Sequence, residues 1–126
     1  MKYLMLVCVD PDYRPGQDEG APDVEAWVEE TNAKGTRLIG SRVRPGSDAT
    51  TVRVRNGEVL LSDGPYAETK DLIAGFDVLE CADLDEAIAV VSRHPMAWAG
   101  VLELRPFWTE DGEDGAGGES DGGGRG

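Results

Sequence analysis

Metal chemistry has almost nothing to build on in this chain. It holds one histidine, His94, and two cysteines, Cys8 and Cys81, with no metal-ligand spacing between them. No metal and no cofactor is therefore expected. Each cysteine sits in an apolar strand-like run, which reads as two buried free thiols. No G-x-S-x-G, no Walker loop and no G-x-G-x-x-G opening a helix after a strand is present, so the common nucleophile and phosphate-cradle motifs are missing. Long apolar runs are missing too. Tyr3 to Val9 ends at Asp10-Pro11, too short for a signal h-region or a bilayer span, and a cytoplasmic protein is expected. Basic residues are scarce: 12 Lys and Arg face 25 Asp and Glu, for a formal net charge of −13. Such a surface repels phosphate backbones and anionic lipid, which argues against nucleic acid and membrane as partners.

The 126 residues fit one domain. From Thr109 the chain reads TEDGEDGAGGESDGGGRG, whose single apolar side chain is Ala116. Nothing there offsets the entropy of ordering, so 109–126 reads as a disordered acidic tail and 1–108 as the folded unit. The tail serves solubility; docking to a basic partner is the alternative.

Within the folded unit, Tyr3 to Val9 is apolar on both faces and predicts a doubly covered strand. Pro22 and Asp23 open a helix whose packing face is Val24, Trp27, Val28 and Thr31, with Gly35 as its stop. Leu38 to Val43 predicts the next strand. Thr50 to Arg55 and Val59 to Ser62 flank Asn56-Gly57, a strong hairpin signal. A strand from Ile73 to Cys81 follows. Asp83 and Glu86 have capping-box spacing ahead of a helix with Leu84, Ala87, Ile88 and Val91 on its packing face. Pro95 ends it, and Val101 to Arg105 is the last strand.

The order is β-α-β, a hairpin, then β-α-β. Without the hairpin this is the split β-α-β pattern of the ferredoxin-like α+β fold, an antiparallel sheet with both helices on one face. The other face lacks cover, so two chains are expected to pack sheet to sheet as a homodimer.

The run DGPYAETKD at 63–71, Leu72 to Phe76 with its Gly75, ADLDEA at 82–87 and LELRP at 102–106 together resemble the DGPF proteins of the YCII-related family. Tyr66 stands where the typical signature has Phe. The resemblance covers about residues 1–107 and implies the dimeric α+β barrel form of the fold. It implies no particular reaction. Many relatives are encoded beside extracytoplasmic-function sigma factors, which implies an accessory or regulatory role. Some YCII relatives are proposed to be enzymes using a His and Asp pair, in a branch with Asp-Pro where this chain has His94-Pro95.

Strand directions bring separated polar residues to one end of the sheet: Asp10, Arg42, Arg44, Asp63, Tyr66 and His94. Each has a structural and a functional reading. Asp63-Gly64-Pro65 is a turn, or one wall of a cleft. His94 caps a helix, or acts as general acid or base with Asp63 or Asp10. Tyr66 is a half-buried aromatic, or a wall and hydrogen-bond donor together with Thr69. Arg42 pairs with a surface acid, or holds an anionic group of a small-molecule ligand. Trp98 belongs to a packed connector, or lines the cleft. Two functions follow: a small-molecule-binding or accessory homodimer, with a small-molecule ligand or a protein partner, and a metal-free acid–base enzyme of lyase, isomerase or hydrolase type.

Overall fold

The computed structural model describes residues 1–66 and 72–109. Thr69 and all but the first residue of the acidic tail lie outside the described residues. Six strands and three α-helices follow among these residues in the order β1 Lys2–Val9, α1 Val24–Ala33, β2 Arg37–Arg42, β3 Thr50–Arg55, β4 Glu58–Asp63, β5 Ile73–Glu80, α2 Leu84–Val91, α3 Met96–Ala99 and β6 Gly100–Pro106, with a 3-10 turn at Gly46–Asp48. The main sheet has the order β2-β5-β1-β6, with every neighbouring pair antiparallel. This is the ferredoxin-like α+β arrangement. The inserted hairpin β3–β4 forms a separate two-stranded sheet.

Local chemistry explains the element ends. Asp23 caps α1 by accepting from the Ala26 N–H, and Asp83 caps α2 by accepting from the Glu86 N–H. The Glu86 carboxylate accepts from the Ala82 N–H, one residue earlier than the reciprocal bond of a capping box. Asn56 and Gly57 have φ of 52° and 78°, the paired positive values that a tight hairpin turn needs. The one-turn helix α3 was not expected.

The core lies between the sheet and the two long helices. Tyr3 and Met5 of β1 and Leu79 of β5 meet Trp27 of α1 and Ala87, Val90 and Val91 of α2. The Trp27 indole N–H donates to the Val90 carbonyl at 2.9 Å, which ties α1 to α2. The packing face expected for α2 needs correction. Ala87 and Val91 are buried as predicted, but Val90 joins them while Leu84 and Ile88 stay about half exposed.

Period two puts Leu4, Leu6 and Cys8 of β1, with Phe76 and Val78 of β5, on the sheet face away from the helices. Ile39 and Val101, at 59% and 49% exposed, extend that apolar face across the neighbouring strands. Among the described residues no helix is long and apolar enough to cross a membrane.

Candidate functional site

His94 follows α2, where its N–H donates to the Val91 carbonyl and its own carbonyl accepts from Ala97 at the start of α3. This pair of turns holds the side chain against the core. The ring is 5% exposed and meets Trp27 edge to face, with centroids 4.7 Å apart. The Met96 backbone N–H donates to His94 Nδ1 at 2.9 Å. Burial first, and the nearby Arg37 charge second, hold the imidazole pKa below its ordinary 6.5. At neutral pH the ring is therefore uncharged. With Nδ1 engaged as acceptor, its one proton sits on Nε2.

That Nε2–H has no hydrogen-bond partner among the described residues. Among them no buried side-chain nitrogen or oxygen is sealed without a partner. The donor is therefore not sealed off, and His94 lines a cavity of about 280 Å³. Val24 and Val28 of α1, Val7 of β1 and Met96 supply apolar lining, and Gly75 and Ala74 of β5 border it. The polar lining is Arg37, Ser41, Arg42, Asp77 and His94.

Asp77 is the unusual member. It sits in the apolar strand IAGFDVLE at the same parity as Leu79, so alternation turns it toward the helices. Arg37 Nε donates to Asp77 Oδ1 at 2.7 Å, and Arg37 Nη1 also reaches Asn32 Oδ1. Gly40 faces Asp77 across the β2–β5 ladder. A Cβ on Gly40 would stand 1.6 Å from Asp77 Oδ1, so the missing side chain is what makes room for the carboxylate. Burial raises the Asp77 pKa above its ordinary value, and the Arg37 hydrogen bond and charge only partly offset this.

The residues anticipated from the sequence divide between places. His94 and Arg42 line the same cavity. Arg42 has no ion-pair partner among the described residues. Tyr66 lies instead on an open groove of about 740 Å³ formed with Arg44, Pro45, Asp48, Thr51 and Pro65. Arg44 there is paired with Asp48 at 3.0 Å. Asp63 ends the hairpin opposite Thr50, and Asp10 caps the turn after β1 by accepting from the Asp12 N–H. Neither aspartate lines the His94 cavity nor bonds to His94. Each ends its strand in a separate turn, whereas His94 is held inward by Trp27 and Met96. Trp98 is a connector: its indole donates to the Ser92 carbonyl and its own carbonyl accepts from Gln17. Thr69 lies outside the described residues. Arg37 and Asp77 are not among the residues expected from the sequence; the signal for Asp77 is a lone acid at a core parity of an apolar strand. No cluster of three or more His, Cys, Asp or Glu able to hold a metal ion occurs among the described residues.

Comparison with known proteins adds the family. Residues 1–110 match the YCII-related domain. The chain belongs to the YCII-related family. An uncharacterised protein of Rhizobium meliloti (strain 1021) is 46% identical over 71 residues, which span 53% of this chain and 56% of that relative. The 5-chloro-2-hydroxyhydroquinone dehydrochlorinase of Burkholderia phenoliruptrix AC1100, solved with 2,5-dihydroxybenzoquinone, is similar at a TM-score of 0.44 and 17% identity, covering 88% of this chain and 97% of that one. The YCII-related domain thus spans every element of the main sheet and the His94 cavity.

Proposed function

We propose that this YCII-related protein is a cytoplasmic homodimer that binds a small molecule in the His94 cavity and acts as an accessory or regulatory protein. The resemblance to the DGPF proteins makes an extracytoplasmic-function sigma factor the natural protein partner for that role. The observation that carries the binding reading is a donor with no partner among the described residues, on a 5% exposed His94 that lines a mostly apolar cavity. A few convergent polar groups in an apolar recess are what small-ligand sites are made of.

His94 is the chain's one histidine, so its imidazole signals are unambiguous in NMR. Adding a fractionated metabolite extract to the full chain is expected to move them, and the active fraction then yields the ligand. Imidazole signals unmoved by every fraction overturn the binding reading.

A second reading, the metal-free acid–base enzyme, draws on Asp77. A carboxyl with a raised pKa shares the cavity with a neutral imidazole, an arrangement suited to passing a proton. In it Asp77 takes the role expected of Asp63 or Asp10. Turnover of the identified ligand, abolished by Asp77→Asn with the fold intact, is the result that favours it over simple binding.

A further inference from the structure

We infer that the cavity recognises the carboxylate of a small, largely apolar monoanion, held between the Arg42 guanidinium and the Nε2–H of a His94 locked in one tautomer. This rests on the binding reading and gives it a ligand class.

The lock is geometric. The Met96 backbone N–H points at Nδ1 from 2.9 Å, so that atom must keep its lone pair. A second proton on the ring would set two N–H groups against each other. Arg37, which also lines the cavity, opposes a positive ring as well. The imidazole is thus a fixed donor, and a fixed donor selects an acceptor atom. Arg42 adds a charge that no acid among the described residues neutralises. Arg37 is unavailable for this task because Asp77 already holds it.

Size and charge narrow the class further. About 280 Å³ falls just below the roughly 300–1,000 Å³ typical of ligand pockets, which restricts the occupant to a small molecule. Val7, Val24, Val28 and Met96 suit a hydrocarbon body. Among the described residues that line the cavity, Arg42 is the one cation without an ion pair, which suits one negative charge. In a chain of net charge −13 a dianion such as a phosphate monoester is penalised. A planar carboxylate also matches the fork of an arginine, with its second oxygen left to accept from Nε2.

Benzoate, benzamide and phenyl phosphate, each titrated into the full chain by NMR, separate the possibilities. Benzoate is expected to shift the His94 imidazole and the Arg42 side-chain signals, while benzamide and phenyl phosphate bind at least tenfold more weakly. Arg42→Met is expected to weaken benzoate about 10- to 100-fold. Nitrogen-15 spectra of the free protein are expected to show a single ring proton, on Nε2. Benzoate affinity is expected to stay flat between pH 6.5 and 8, because neither His94 nor the Arg37–Asp77 pair needs to gain a proton for binding. The proposal is overturned if benzamide binds as well as benzoate, if Nδ1 carries the proton, or if affinity climbs steadily as pH falls. Binding of benzamide alone sinks the carboxylate assignment and leaves the cavity a ligand site. Failure of the metabolite extract to move His94 removes the ligand site itself.

Discussion

A buried imidazole that resists a second proton leaves a mark on stability as well as on binding. Burial and Arg37 hold the His94 pKa in the fold below 6.5, while the unfolded chain titrates near that ordinary value. A depressed folded pKa means that the unfolded state takes up the proton first as pH drops. The contribution of His94 is therefore fully present above about pH 6.5 and is lost as pH falls through the folded pKa. One proton sets a ceiling of about 1.4 kcal/mol per pH unit on this slope. Asp77 works in the opposite sense. Its pKa is raised, so its contribution is full in strong acid and declines as pH rises through the folded value. The difference between wild type and His94→Gln isolates the histidine. Urea unfolding at a series of pH values below 6.5 is expected to show a falling stability for wild type and a flatter line for the variant. Parallel lines would mean that His94 protonates freely in the fold.

Between elements, the decisive fit is the crossing of β2 and β5 at Gly40 and Asp77. The strands pair so closely there that the space of one side chain holds the carboxylate of the other. Gly40→Ala forces Asp77 off Arg37 or bends the ladder, and is expected to cost roughly 1–3 kcal/mol. The closest clash is with the Asp77 carboxylate, and the second, Arg37 Nη2 at 2.6 Å, is the end of a flexible side chain that Asp77 itself holds, so the cost shrinks in an Asp77→Ala background. A double-mutant cycle by chemical denaturation is expected to give a coupling of about 1 kcal/mol or more, whereas additive losses would place the strain elsewhere. This crossing also shows where the sequence stops being readable. The helix start at Pro22-Asp23, the cap at Asp83, the Asn56-Gly57 turn and the order of elements along the chain follow from neighbours in the chain or from hydrophobic period, and they were legible. The α2 face was only half legible: in LDEAIAVV almost every position past the first turn is apolar, so two overlapping stripes fit one helix and only the sheet beneath chooses. A single turn such as α3 is too short to show a period. Arg37–Asp77 depends on a glycine in a third place, 37 positions from Asp77 in the chain, and no local rule connects the two. Arg42 and His94 were legible as polar ends of elements. Their shared cavity was visible only once α1 lay over the sheet.

For the whole molecule the open question is what covers the outer sheet face. Leu4, Leu6, Phe76, Val78, Ile39 and Val101 form one apolar surface there, and among the described residues the two long helices pack on the opposite side. A second copy of the chain supplies a matching apolar face, which is the homodimer proposed above. Charge makes the proposal specific. Each chain carries a net −13, so two copies repel at long range, and on this face the Glu103–Arg105 pair is satisfied within one strand at 2.7 Å. An interface held by apolar burial against such repulsion tightens as salt screens the charge, the reverse of one held by ion pairs. Sedimentation of the full chain is expected to show a dimer whose dissociation constant falls between low salt and about 0.5 M, where the Debye length drops to only a few ångströms. Leu6→Glu puts a charge at the centre of the face without touching the core beneath. It is expected to give a monomer with unchanged circular dichroism. A wild-type monomer at all salt concentrations, or a dimer that survives Leu6→Glu, would leave this face to a different partner.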